Sequence, residues 1–118
     1  MGLKDVARRL RASVEELDAA RLQDRFEGLD ATRINQCPVR CPVKISGEIK
    51  QVRISPRSGF PALEVVVSDG SGEATAVFTG RRSLGGIHTG RGVVLEGVAH
   101  EERGRRVILN PAYTLLPE

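Results

Sequence analysis

The spacing of the apolar residues changes once along the chain, near residue 43. Before that point, apolar side chains recur at intervals of three and four residues, which is the spacing of one face of an α-helix. These side chains are Leu3, Val6, Leu10, Val14 and Leu17. Gly28 then provides a stop signal. The pattern predicts an N-terminal helical segment over residues 1–28, whose stripe packs either on its own domain or on a partner helix.

A connector over residues 29–42 follows. It contains four residues that discourage regular structure: Asp30, Asn35, Pro38 and Pro42. From Val43 onward, apolar and polar residues alternate, as they do in a β-strand with one buried face. This alternation slips by one residue after Ile49, and Gly47 lies inside the same run. An internal glycine with a change of phase predicts a long, bent first strand that contains a β-bulge.

Further apolar runs bring the number of predicted strands to five. The second has its inward side on Leu63, Val65 and Val67, and the third on Ala74, Ala76 and Phe78. Residues 80–92 contain five glycines and form an insert without a strand pattern. The fourth and fifth runs begin at Val93 and Val107. Short, closely spaced strands with edges to cover predict a mainly β protein built as a small barrel.

The segment Asp69-Gly70-Ser71-Gly72 lies between the second and third runs and has two interpretations, a ligand loop or a turn. A calcium loop needs oxygen ligands at alternate positions, and glycines occupy positions where such ligands are required. Asp bonds readily to its own backbone, and glycine accepts a positive φ. We therefore predict a hairpin turn. Downstream, residues 80–85 have the glycine spacing of a P-loop but lack the Lys and Ser/Thr that must follow.

The candidates for metal binding and catalysis are few. Four zinc ligands would require every cysteine and histidine in the chain: Cys37, Cys41, His88 and His100. Their spacing does not match a zinc finger or ribbon. The sequence also places no serine next to a histidine and an acid in a pattern that indicates activation. We therefore expect no metal, no other cofactor and no enzymatic activity.

The composition, with 40% hydrophobic and 28% charged residues, is that of a globular protein. No apolar run approaches the roughly 20 residues of a membrane span, and no secretory signal follows Met1. A cytoplasmic protein with no membrane partner is expected. The net charge of +3 is unevenly distributed, because residues 1–36 contain seven basic and seven acidic residues. The basic excess lies in residues 37–118, which favours a polyanionic partner for the barrel.

Three segments resemble the OB-fold nucleic-acid-binding family, in the branch that includes anticodon-binding domains of tRNA synthetases and the wedge domain of branch-migration helicases. They are VKISGEIKQVR, ALEVVVSDGSGEATAVFTG and TGRGVVLEGVAHEERGRRVILNPAYTLL, all within residues 43–116. The whole chain is also similar to small stand-alone OB-fold proteins of high-GC bacteria. The resemblance implies a five-stranded OB-fold Greek-key barrel over residues 43–118, preceded by the helical segment 1–28 and the connector 29–42.

In this family, nucleic acid lies across strands two and three, bordered by the loop after strand one and the loop between strands four and five. Carried over to this sequence, the resemblance implies a binding set of nine residues: Lys50, Arg53, Arg57, Phe60, Arg81, Arg82, Arg103, Arg105 and Arg106. The cationic side chains would contact phosphates and Phe60 would stack on a base. The implied partner is single-stranded DNA or structured RNA.

The outward positions of the second and third strands depart from the family pattern, because none is aromatic. They are Glu64, Val66, Ser68, Thr75, Val77 and Thr79. Stacking on aromatic rings contributes about 1–3 kcal/mol per base. We therefore expect weak binding led by phosphate contacts. The alternative is a protein-interaction adaptor, in which the helix stripe and a barrel face with exposed Val66 and Val77 dock another protein.

Overall fold

The computed structural model of the protein describes residues 2–118. One helix, α1 (Leu3–Phe26), is followed by a connector that contains a short 3-10 helix (Ile34–Gln36). Six strands follow: β1 (Pro42–Ile54), β2 (Ala62–Ser68), β3 (Glu73–Thr79), β4 (Gly92–Glu102), β5 (Arg105–Leu109) and β6 (Ala112–Leu115). Within residues 2–118, no helix is long and apolar enough to cross a membrane.

The first five strands form a closed ring in the order β1-β2-β3-β5-β4, which β1 completes by pairing with β4. All of these pairs are antiparallel except β3 with β5, which is parallel. A closed five-stranded sheet with this connectivity is an OB-fold barrel. The predicted fold, a mainly β barrel preceded by an N-terminal helix, is therefore confirmed.

The bend in β1 is what closes the barrel. Its first half pairs with β4 and its second half with β2. The register with β2 shifts between Ile49 and Gln51, so that Lys50 is the extra residue of the predicted β-bulge. At Gly47 a Cβ would lie 3.0 Å from the Ser68 carbonyl oxygen. The internal glycine thus allows β1 to cross closely over the end of β2.

The sixth strand was not predicted. It pairs antiparallel with β4, with Tyr113 opposite Leu95 and Leu115 opposite Val93. Tyr113 also meets Phe78 edge to face, with ring centroids 5.7 Å apart. Four residues are too short a run for a period of two to be distinguished from an irregular tail. Contacts with the core, rather than local pattern, make this segment a strand.

The barrel interior is filled by the inward residues predicted for β2 and β3, all of which are buried: Leu63, Val65, Val67, Ala74, Ala76 and Phe78. From the insert between β3 and β4, Leu84 and Ile87 pack against the same core. The parity of these strands was therefore predicted correctly, because only one face of each is packed inside the barrel.

The predicted exposure of Val77 is wrong. Val77 is only 1% exposed and forms a small second cluster with Ala62 and Val107. These three side chains lie on the outer face of the sheet, where Val77 pairs with Glu64. Across the sheet, Val77 lies between Glu64 on β2 and Leu109 on β5. A docking surface for another protein, as the alternative function required, therefore loses one of its two apolar residues.

The β2–β3 turn forms as predicted, with Ser68 paired to Glu73 across it. Asp69 stabilises the turn from within, because its Oδ1 accepts hydrogen bonds from the Ser71 backbone amide at 2.9 Å and hydroxyl at 2.6 Å. Its other oxygen accepts a bond from the Ile34 amide at 2.9 Å. The turn therefore also fixes the connector, a role that the sequence did not indicate.

The same turn receives the end of α1, in which only Leu22 and Phe26 are buried. The Gly70 carbonyl accepts a hydrogen bond from Gln23 Nε2 at 3.1 Å. A Cβ at Gly70 would lie 2.2 Å from the Ala19 carbonyl oxygen, so the helix backbone reaches the turn only because this residue is glycine. The last two turns of α1 are thus docked, whereas residues 2–17 are all exposed.

Candidate nucleic-acid interface

The outer face of the barrel has a groove of about 430 Å³ over β1, β2, β3 and the β4–β5 turn. Its lining residues are Lys50, Gln51, Arg53, Val66, Glu73, Thr75, Gly104, Arg105 and Arg106. Four of the nine residues predicted for binding are among them. The bulge in β1 and the β4–β5 hairpin bring these four cations together from opposite ends of the barrel sequence. We refer to this feature as the basic groove.

Glu64 on β2 is the central acid of this face. It accepts hydrogen bonds from Arg53 Nη2 at 3.4 Å and from Arg105 Nη1 at 3.3 Å. Burial raises the pKa of Glu64, but hydrogen bonds from Ser55, Arg105 and Arg53 outweigh that effect and lower the pKa overall. Glu64 is therefore an ionised carboxylate that holds one arginine from each side of the basic groove.

Glu102, at the end of β4, forms a second ion pair on the outer surface. It accepts hydrogen bonds from Arg57 Nη1 at 3.1 Å and contacts His100 Nε2. The bond from Arg57, and then that from His100, lowers the pKa of Glu102 to about 2. Arg57 belongs to the β1–β2 loop. The pair therefore ties that loop to the β4–β5 hairpin, the two segments that border the binding face in the OB-fold resemblance.

Lys50 is engaged with the helix. Its ammonium group donates to Glu48 at 3.0 Å and to Asp18 at 3.1 Å. Glu48 also accepts bonds from Arg21 and Arg25, and its side chain is only 10% exposed. Hydrogen bonding from Arg21 is the main cause that lowers the pKa of Glu48 to about 2. These five residues form the helix-docking cluster, and Lys50 joins this cluster to the rim of the basic groove.

The β4–β5 hairpin carries two of the predicted residues besides Arg105, namely Arg103 in the turn and Arg106 on β5. Arg103 is exposed at the tip of the turn, in a left-handed conformation with φ of 52°. Arg106 is half-buried and donates a hydrogen bond to the Asn35 carbonyl oxygen at 3.3 Å. Arg106 thus lies between the basic groove and the connector. Arg103 is the more accessible of the two to a ligand.

The remaining predicted residues lie outside the basic groove. Phe60 is 68% exposed at the tip of the β1–β2 loop, where its backbone pairs with that of Arg57. Arg81 and Arg82 are exposed just beyond the end of β3, and Arg81 lines a shallow depression that includes Tyr113. The structure therefore does not combine the nine predicted residues into one site. Four of them line the groove at the start of β3, and Arg103 projects from the β4–β5 turn beside it. Arg57 and Phe60 lie near Gly80, so together with Arg81 and Arg82 they form a second region past the end of β3.

Within residues 2–118, no group of three or more His, Cys, Asp and Glu side chains has an arrangement that could hold a metal ion. Cys37 and Cys41 are free thiols, and burial raises the pKa of the Cys37 thiol. His88 lies 3.1 Å from Glu118 and His100 contacts Glu102, so each histidine is paired with a different acid.

No protein-family model matches this chain, and no curated protein matches it. Among solved structures, it is similar to a chain of a replication protein A heterotrimer bound to single-stranded DNA. The TM-score is 0.49 at 16% identity, over 65% of this chain and 58% of that chain. This chain thus spans little more than half the length of that chain. Similarity at this level assigns neither a family nor a function, and the fold assignment rests on the strand order.

Proposed function

We propose that the protein binds nucleic acid through phosphate contacts in the basic groove. The observation that supports this proposal is the convergence of Lys50, Arg53, Arg105 and Arg106 around one open groove on the barrel. Guanidinium and ammonium groups are the usual protein partners of phosphate, and arginine can engage two phosphate oxygens at once. In OB-folds this face, between the loops that flank it, is where oligonucleotides bind.

The proposed contact is led by charge rather than by base stacking. Val66 and Thr75 occupy the groove floor, where tight single-strand binders place aromatic rings. Phe60 is exposed close to Arg57, which places one stacking ring at the edge of the face. We therefore infer a partner recognised mainly by its backbone, either single-stranded DNA or structured RNA, with an affinity that falls steeply as salt rises.

Fluorescence anisotropy with labelled single-stranded DNA and RNA, measured over a series of salt concentrations, tests the proposal. Phosphate-led binding predicts that log K decreases linearly with log salt. Arg105→Gln removes one proposed phosphate contact, so its slope should be shallower by about 1. Lys44→Gln is the matched control, since Lys44 is an exposed cation on β1 that does not line the groove. The absence of binding at low salt would refute the proposed function.

A further inference from the structure

The helix α1 runs along β1 toward the basic groove and then leaves the barrel. Arg21 pairs with Glu48 at 3.0 Å. One turn closer to the N-terminus, Asp18 accepts a hydrogen bond from Lys50 Nζ at 3.1 Å, and Lys50 lines the basic groove. Residues 2–17 lie beyond this contact and are all exposed. The free part of the helix therefore begins at the rim of the groove.

The face of α1 that docks on the barrel continues along this free part and becomes basic. Residues three or four apart in a helix lie on the same face. Counted back from the buried Leu22, the members of this face are Asp18, Glu15, Arg11, Arg8 and Lys4. We call Lys4, Arg8 and Arg11 the helix cations. They occupy about 10 Å of the helix, at a rise of about 1.5 Å per residue.

We propose that the helix cations form a second contact for the phosphate backbone of a nucleic acid bound in the basic groove. This inference rests on the proposed function and extends its site from the barrel onto α1. Charge complementarity favours nucleic acid as the occupant, because guanidinium and ammonium groups bind phosphate. Continuity favours it as well, because a strand that leaves the groove past Lys50 meets the free part of the helix next.

Two acids lie on this face between the groove and the helix cations. Asp18 is paired with Lys50 at 3.1 Å and with Arg21 at 2.8 Å, so its charge is compensated. Glu15 is exposed and would repel a phosphate on the same path. The face therefore contains two exposed charges of opposite sign, Arg11 and Glu15, whose removal should have opposite effects on binding.

Fluorescence anisotropy with labelled single-stranded DNA of about 16 nucleotides, over a series of salt concentrations, tests the proposal. Arg11→Gln should weaken binding and make the slope of log K against log salt shallower by about 1. Arg9→Gln is the matched control, because Arg9 is an exposed arginine two residues away, on another face of the same helix. Both variants keep the helix, since Arg and Gln have similar helix propensities. Equal slopes for the two variants would overturn the proposal.

Glu15→Gln provides the arm of opposite sign. It should tighten binding of the same oligonucleotide by about twofold, because it removes a like charge from the path of the strand. Glu16→Gln makes the same change of charge at an exposed position on another face, so it should tighten binding less. Equal gains would mean that net charge alone is responsible, and this result would also overturn the proposal.

Arg105→Gln, measured with the same oligonucleotide, separates this inference from the proposed function. If Arg105→Gln weakens binding while Arg11→Gln behaves like Arg9→Gln, nucleic acid binds in the basic groove and does not contact the helix cations. The proposed function then stands and the inference fails. If wild type does not bind at low salt, both fail.

Discussion

Glu64 on β2 and Arg105 on β5 are joined by a 3.3 Å ion pair that crosses β3 on the outer face of the barrel. The same carboxylate also holds Arg53. Both arginines line the basic groove. Glu64 thus already pairs with two of the arginines that would contact a phosphate. A nucleic acid bound in the basic groove must therefore compete with the Glu64 carboxylate for them.

Glu64→Gln should therefore increase affinity for single-stranded DNA. Partly exposed ion pairs contribute about 0.2–1 kcal/mol, so removing this competitor should tighten binding by a factor between about 1.4 and 5. Any change from Glu to Gln adds one unit to the net charge, so the measured gain must be compared with that of Glu96→Gln, an exposed acid on β4. Anisotropy titrations of the two variants at equal salt make the comparison. Equal gains would show that Glu64 does not compete for the arginines.

The helix-docking cluster should depend on one carboxylate. Glu48 is nearly buried and accepts bonds from Arg21, Arg25 and Lys50. Glu48→Gln leaves those cations without their shared counter-charge, and we expect the free energy of unfolding to fall by about 1–3 kcal/mol. Urea denaturation measures the loss. Glu15→Gln is the control, because Glu15 lies at an exposed position on α1. It should change the free energy of unfolding by less than about 0.5 kcal/mol.

Acid should destabilise the protein in a defined range of pH. The pKa values of Glu48 and Glu102 are lowered from 4.5 to about 2 in the folded state. A lowered pKa contributes stability that is complete above the unfolded value and is lost as pH falls through the folded value. The free energy of unfolding should therefore decrease as pH falls from about 4.5 to about 2.

Glu48→Gln removes one of these two titrations, so its unfolding free energy should fall less steeply than that of wild type over the same pH range. Denaturant titrations at several pH values give both curves. Parallel curves would mean that Glu48 has the same pKa in the folded and unfolded states.

Gly70 should be intolerant of a side chain for two separable reasons. Its φ is 87°, and an added Cβ would lie 2.2 Å from the Ala19 carbonyl oxygen. Gly104 has a similar φ of 78° but open space around the same position. Gly104→Ala should thus show only the backbone cost of about 1 kcal/mol, whereas Gly70→Ala should cost more because the helix must move. Thermal unfolding of the two variants measures both losses of stability. Equal losses would mean that α1 does not pack closely against the β2–β3 turn.

The barrel was predictable from sequence because one face of each strand packs inside the barrel. The alternation in β2 and β3 therefore identified the inward residues. The phase slip in β1 predicted a bulge between Ile49 and Val52, and the structure has it at Lys50. β6 was not predictable, since it is short and depends on pairing with β4. The length of α1 was clear, but its pattern did not show that its stripe would be left exposed, because a stripe on a partner helix has the same spacing.

The candidate site was predictable only as a set of cations. Ion pairs such as that of Arg105 with Glu64 join residues 41 positions apart, and no local pattern indicates them. The burial of Val77 follows from the same long-range packing. Strand parity correctly placed Val77 on the outer face, but whether an outer face is covered depends on which loops and side chains cross it.

The last prediction concerns Arg81 and Arg82, which lie past the end of β3, while the basic groove lies at its start. The seven residues of β3 separate the two regions by roughly 20 Å at the usual rise per residue. OB-folds contact about 4–16 nucleotides. A strand of about 12 nucleotides should therefore reach both regions, whereas one of about 4 should occupy the basic groove alone.

Arg81→Glu/Arg82→Glu should accordingly weaken binding of the longer oligonucleotide and reduce its salt slope by about 2, because two phosphate contacts are lost. Binding of the short oligonucleotide should be nearly unchanged, which makes it the internal control for folding and for the groove. Arg105→Gln should weaken both, since Arg105 lines the groove itself. If the double variant weakened both lengths equally, its effect would be one of net charge, and the bound strand would not extend along β3.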